Sequence, residues 1–530
     1  MSEDILHISV PEEDDTDNPF LKGPFRPQRH ECWATHEELE IHGEVPRDLF
    51  GMYVRNTHNQ AQAPLGIYHP FDGDGMLHAI RFEDGKAEYR NRFVRTTGFY
   101  AEQGAKRSLW PGILQPGEYH RRGWGSMGVM KDNAGTDVNA HAGSLIASMS
   151  QGSEPWCLSP DTLDTHGAHA WGKLVPDGVA SHYKVDNETG DMIFFNYPEK
   201  APFMHYGVVS KENQLVHYVP IELPGARWPH DIGMTKNYSV LHDLPYFFEP
   251  DLLKQGKRKL TFHPDIPARF GIIPRFGRTE DVRWFEAKPC WVMHITNCYE
   301  DGDWVIQDGC LWDNPVKPPL GDDVDAYAKI ARGLDKHATH THMYRWMFNM
   351  RTGQVREFSL DDEVSEFPVM SNDYIGLKYR YSYNSLFVPH QWLMAGMKRY
   401  DLATGEHTRY EYGEGRYGSE SCIARAVGAT REDDGYLITF VTDMVENRSE
   451  CVILRADDLA AGPVCTIVLP ERISVGTHAC WVEGDRIEGE NRSPKEMQNL
   501  EYGDSFISLG TQSDSTPMEA NPADFAATLT

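Results

Sequence analysis

FEDGKAEYRNRFVRT, residues 82–96, reads as an apolar start, an Asp-Gly turn and then an alternating run. Asp-Gly between alternating runs is a strong short-range hairpin signal, because the tightest hairpin turns need positive φ at their central residues. The same three-part texture recurs in VDNETGDMIFFNY (185–197), MRTGQVREFSL (350–360) and DLATGEHTRYEY (401–412). Few windows carry a 3.6-residue period. LGDDVDAYAKIARGL (320–334) is the best helix candidate and reads as an excursion between strands.

Many hairpins and few helices from Glu40 onward describe a large all-β architecture. A propeller of four-stranded blades accommodates that much antiparallel sheet without long open edges. No WD-like or kelch-like period is present, so repetition in the sequence does not set the blade count. Residues 36–490 are expected to form one domain. Residues 1–35, acidic and rich in Pro, and residues 491–530, rich in Ser, Thr, Asp and Ala, read as tails.

The 530 residues hold 51 basic and 79 acidic side chains, a net charge of −28. Such a surface repels phosphate backbones, so nucleic acid is not expected as a partner. Electrostatic docking to anionic lipid is disfavoured, although apolar patches leave peripheral membrane contact open. No stretch approaches about 18 uncharged apolar residues, and no secretory signal opens the chain. The nine cysteines are dispersed and form no CxxC pair, which suits reduced thiols in a cytoplasmic protein.

The densest histidine cluster is His337-Ala-Thr-His340-Thr-His342, where alternate strand residues would share a face. The stronger reading there is a polar loop entering the strand THMYRWMF. Four other histidines sit far apart, each near the edge of a strand-like run: His182, His230, His294 and His478. Each alone is more often a satisfied structural histidine. On inner strands of different blades, the four would converge on one axis.

GEVPRDLFGMYVRN (43–56), HPFDGDGMLHAIRFEDGKAEYRNRFVRT (69–96), His230-Asp231 and His294-Ile-Thr-Asn297-Cys-Tyr-Glu300 together resemble the carotenoid cleavage oxygenase family. The match runs from about residue 40 to 482, with the four histidines in the family's iron-ligand contexts and in the same order. The resemblance implies a seven-bladed β-propeller, with loops and short helices capping the iron face. It implies Fe(II) bound by His182, His230, His294 and His478. Imidazole suits Fe(II), and octahedral preference leaves positions open for dioxygen and water; a closed tetrahedral zinc site would leave none.

Ligand histidines need partners on the second ring nitrogen. The resemblance implies Glu366 and Glu420 in that role. At the third position the family's glutamate is replaced by Gln151, with Glu154 as the alternative in Gln151-Gly-Ser-Glu154. Thr136 stands where the family's threonine crowds an open iron position. Where phenol-cleaving members anchor a substrate hydroxyl with a tyrosine and a lysine, this chain has Ile113 and Ser150. A buried phenolate would lack a cation there, which favours an apolar conjugated alkene. The expected activity is oxygen-dependent cleavage of a carbon–carbon double bond in a carotenoid, apocarotenoid or related alkene, giving two carbonyl products. VRWFEAKPCWVMH (282–294) is closer in texture to stilbene and phenylpropene cleavers, which are the alternative substrate class. A non-oxygenative isomerase on the same scaffold and a non-catalytic binding propeller are the remaining readings.

Overall fold

The hairpin turns form at the positions where their chemistry places them. Asp84 (φ 50°) and Gly85 (φ 75°) reverse the chain between strands Asp74–Glu83 and Lys86–Phe93, with Glu83 opposite Lys86. Longer turns, each with one left-handed glycine (Gly190, Gly353 and Gly405), join Lys184–Val185 to Met192–Asn196, Thr341–Asn349 to Val355–Ser359, and Met394–Asp401 to His407–Glu411. The computed structural model describes residues 6–114, 131–255, 259–313, 315 and 324–488. The proposed C-terminal tail, 491–530, lies outside the described residues.

The hairpins assemble into seven antiparallel sheets of four to six strands, with a small hairpin, Tyr246–Phe248 and Leu260–Phe262, inserted in the fourth. The sheets are the blades of a seven-bladed propeller. In chain order their innermost strands are Asp137–His141, Lys184–Val185, Gly233–Met234, Trp291–Asp301, Ser365–Val369, Cys422–Arg425 and Ala479–Glu483. The last of these belongs to the first blade, where it pairs with Gly51–Asn59. Conversely, Glu40–Gly43 from near the chain start pairs with Pro463–Val468 at the outer edge of the seventh blade. Two seams therefore close the ring.

Apolar residues pack as layers between neighbouring blades. Tyr53, Phe82, Tyr89, Phe440 and Trp481 lie between the seventh and first, and Phe270, Trp291, Trp346 and Phe348 between the fourth and fifth. Each such side chain, fully buried, stabilises the fold by about 1.5–3 kcal/mol. The expected helix forms at Ala326–Leu334, capped by Asp325, whose side chain accepts from Ala328 N–H. Among the described residues no helix is long and apolar enough to cross a membrane.

Within the expected N-terminal tail, residues 6–35 pack against the propeller rather than hanging free. Val10, Phe20 and Leu21 are buried against Tyr68 and Ile330. Val475 N–H donates to Pro24 O at 2.9 Å, and Arg29 Nη1 donates to Val10 O at 2.7 Å. The segment has no periodicity because it runs as single turns and extended chain. Its burial comes from the surface it crosses.

Candidate metal centre

Each of the four histidines sits at or next to the inner strand of a different blade. His182 and His230 lie two and three residues before the short inner strands Lys184–Val185 and Gly233–Met234 and take left-handed backbone conformations, φ 68° and 63°. His294 lies within Trp291–Asp301, where the register slips between Val292 and Ile295. His478 directly precedes Ala479–Glu483. The ring centroids of His182 lie 4.8, 5.0 and 4.4 Å from those of His230, His294 and His478. His230 and His294 are 5.1 Å apart, and His294 and His478 4.8 Å. All four are buried.

The ring nitrogens sort by role. His294 Nδ1 meets Glu366 Oε2 at 2.5 Å, His478 Nδ1 meets Glu420 Oε2 at 3.2 Å, and His182 Nδ1 faces Asp137 Oδ2 at 3.4 Å. That leaves Nε2 of these three facing inward, and ring nitrogens of His182, His294 and His478 lie within 4.8 Å of one another. His230 Nε2 approaches His294 Nε2 to 3.3 Å, while His182 Nε2 is buried with no partner among the described residues. Four convergent imidazole acceptors, one of them orphaned, form a donor set that fits a divalent cation with nitrogen preference.

Burial pushes the His230 and His294 imidazoles well below their ordinary 6.5, and the neighbouring histidines lower them further. Neutral imidazole is the metal-binding form. Burial likewise opposes charge on His478, but Glu420, Asp137 and Glu366 outweigh it and raise that group. Burial pushes the Glu366 carboxyl up to about 7.

Other expected residues are placed less directly. Gln151 is buried, and both its Nε2 and His230 Nδ1 lack a partner among the described residues. Glu154 lies instead beside Asp132, which accepts its N–H at 2.8 Å. Thr136 is buried, and its carbonyl accepts from His478 N–H at 3.3 Å and Thr477 Oγ1 at 2.8 Å. Ile113 and Met149 line one cavity, whereas Ser150, next to Met149, offers its carbonyl to Tyr197 Oη at 2.7 Å. The cluster at 337–342 makes no shared site: His337 Nε2 meets Phe387 O, His340 faces Asp313, and His342 Nδ1 meets His340 O.

Asp137 and Asp231 were not singled out as partners by sequence reasoning, although each adjoins a residue that was. Asp231 Oδ2 accepts from Ile295 N–H at 2.8 Å, and its Oδ1 meets Lys184 Nζ at 2.7 Å. Phe367 (φ 50°) lies 4.7 Å from His294 and 4.9 Å from His478, covering the site with an aromatic face.

The family model described as RPE65, retinal pigment epithelial membrane protein, matches residues 25–483. The chain belongs to the RPE65/carotenoid cleavage oxygenase family. The family frame agrees with curated relatives across nearly the whole domain. A carotenoid 9,10(9',10')-cleavage dioxygenase 1 of Pisum sativum is 31% identical over 500 residues, covering 88% of this chain and 91% of the relative. An isoeugenol monooxygenase of Pseudomonas nitroreducens is 29% identical over 482 residues, covering 88% and 98%. Among solved carotenoid oxygenase family structures, the lignostilbene dioxygenase of Pseudomonas brassicacearum superposes with a TM-score of 0.77 at 25% identity, covering 90% of this chain and 100% of that one.

Proposed function

We propose that this protein is an Fe(II)-dependent oxygenase that splits a carbon–carbon double bond of a carotenoid, apocarotenoid or related conjugated alkene. The observation that carries the reading is the convergence of four buried imidazoles, with His294 and His478 backed by Glu366 and Glu420. These four imidazoles would hold ferrous iron, which when bound would supply the electron transfer that activates dioxygen. The balance is complete without a co-reductant: the C=C bond and the O–O bond break, and each oxygen atom ends in one carbonyl product.

The chain's own residues supply position and dryness. Glu366 and Glu420 hold two imidazoles in one tautomer, with Nδ1 protonated and Nε2 free. Phe367 faces His294 and His478, and Trp392, 6.0 Å from Phe367 and 5.1 Å from Phe71, extends that aromatic wall away from them. Such walls take a planar apolar substrate and keep water from reactive species. Thr136, buried one residue before the second blade's inner strand, would flank an ion held there, as the family resemblance implies. The cavity with Ile113 and Met149, beside Ser150, offers the substrate a mixed lining, in which Leu65 and Trp110 lie with Asp72, Glu102 and Lys131.

Stilbenes and phenylpropenes are the second substrate class, favoured by the extent of the match to the lignostilbene dioxygenase structure. The test incubates iron-loaded protein with carotenoids, apocarotenoids and stilbenes, reading aldehydes by mass spectrometry and oxygen uptake by electrode. Aldehyde pairs with one O2 consumed per alkene are expected. An isomerised product without oxygen uptake would replace the oxygenase reading with an isomerase.

A further inference from the structure

Lys336 begins the single helical turn Lys336–Thr339 and is only 2% exposed. Its Nζ touches Met293 Sδ at 2.9 Å and lies 4.7 Å from the ring centroid of Trp312 and 5.9 Å from that of Trp392. Among the described residues no carboxylate comes within 4.0 Å of it. Asp335, its neighbour, instead caps the turn through His337 and Ala338 N–H and faces His390 at 3.1 Å. Glu366 is close enough to attract Lys336 but lies beyond 4.0 Å from it: its Oε2 is engaged by His294 Nδ1 and Phe367 N–H, and its Oε1 is buried without a partner among the described residues.

Structural lysines in this protein look different. Lys398, 1% exposed, meets Asp361 and Glu363 at 2.6 Å each. Lys131 likewise meets both Asp74 and Glu102. An ammonium kept out of water without such a partner is costly and marks a place where an acceptor is missing.

Its position says what acceptor. Trp392 borders the cavity that contains Phe71 and Phe387, and it stacks on Phe367, which covers His294 and His478. On the other side, Trp312 lies 4.4 Å from Trp291, which is 6.0 Å from His230. Lys336 is thus set between two aromatic walls that both lead to the histidines. We propose that Lys336 is a specificity residue that receives an oxygen-bearing terminus of the alkene substrate, a phenolate, carboxylate or hydroxyl, as its hydrogen-bond acceptor. This rests on the proposed alkene-cleaving function.

The test uses the iron-loaded protein and its Lys336→Met and Lys336→Arg variants. Met fills the volume and removes the charge, so folding is retained, and iron content is measured in each variant. Under anaerobic conditions, tryptophan fluorescence reads the binding of stilbene, 4-hydroxystilbene, 4-methoxystilbene and 4-carboxystilbene. The native protein is expected to bind the hydroxy and carboxy compounds at least tenfold more tightly than stilbene or the methoxy ether. Lys336→Met should abolish that preference while leaving stilbene affinity and iron content within about threefold, and Lys336→Arg should restore part of it. A stronger carboxylate than hydroxyl effect would identify a charged terminus. Equal affinities in the native protein, or a preference that survives Lys336→Met, would overturn the proposal. So would loss of iron together with uniform weakening, which would make Lys336 a support for Glu366. Aerobic product analysis is separate: absence of aldehydes with selective binding intact would count against the oxygenase reading alone.

Discussion

Glu366→Gln isolates what a buried carboxylate does behind a metal-facing imidazole. Glu366 is 0% exposed, and its Oε2 accepts from His294 Nδ1 and from Phe367 N–H. Glutamine keeps the shape and one acceptor oxygen but removes the charge. With iron bound, the Glu366–His294 bond joins a carboxylate to a charge-bearing imidazole, about 1.5–3 kcal/mol against about 0.5–1.5 for a neutral pair, and the strengthening that glutamine forfeits, on the order of 2 kcal/mol, comes off iron binding alone. At about 1.4 kcal/mol per tenfold, that weakens iron binding some 30-fold, within the roughly 10–100-fold range for such outer partners. Metal-free stability should move the other way or not at all. The carboxylate pays a desolvation penalty that an amide does not, and its Oε1 has no partner to lose among the described residues. Chelator competition gives the iron affinity, and thermal unfolding of the metal-free protein gives the stability. An unchanged iron affinity would refute the reasoning. So would a fall in affinity matched by a fall in metal-free Tm, since that indicates general damage.

Three further outcomes are expected. His294→Ala should remove iron and activity together, because it deletes one of the four imidazoles and strands Glu366; metal analysis of the purified variant checks it, and full iron with full activity would remove His294 from the centre. Gln151→Glu should make the iron-loaded protein autoxidise faster, since added negative charge stabilises Fe(III) relative to Fe(II); equal rates by electron paramagnetic resonance would put residue 151 out of reach of the histidines. Burial pushes the Asp72 carboxyl up to about 7 from 3.8, against backbone N–H donors from His69 and Ile113, so the folded state holds a proton that the unfolded chain has released between those values. Stability from that group is fully present below its ordinary value and is lost as pH rises to and through about 7, so Asp72→Asn should flatten the fall in Tm between about pH 4 and 7.

The hairpins were legible because turn chemistry and period-2 alternation are local, as at Asp84-Gly85. The helix Ala326–Leu334 was legible for the same reason. Ring closure was not: Glu40–Gly43 finds Pro463–Val468 across more than four hundred residues, and no repeat announces it. The packing of residues 6–34 was misread because Val10 and Phe20 are buried by a surface that exists only after folding. The four histidines stood out only through family resemblance. Asp137, Asp231 and Lys336 carried no signal of their own, since a strand-edge aspartate or a lysine opening a helical turn is ordinary until its neighbours are known.

The carboxylates around the centre also bind the blades to one another. Asp137 of the second blade accepts the His182 N–H of the third at 2.7 Å, and Asp231 of the fourth ties Lys184 of the third to Ile295 of the fifth. Glu366 of the sixth reaches His294 of the fifth, and Glu420 of the seventh takes Ala479 N–H of the first at 2.6 Å. His478 N–H of the first meets Thr136 O of the second. The same contacts that orient the imidazoles therefore cross most of the junctions around the axis. They also hold His182 and His230 in left-handed conformations, each of which costs on the order of 1–3 kcal/mol and survives only where its surroundings over-determine it. His478 arrives on the strand that closes the first blade, so the four-imidazole set is complete only once the ring is shut. A cation that binds the complete set and not the open chain stabilises the closed ring in proportion to that difference. Metal affinity and blade closure are thus two readings of one equilibrium, and the inner-strand carboxylates are where they are coupled.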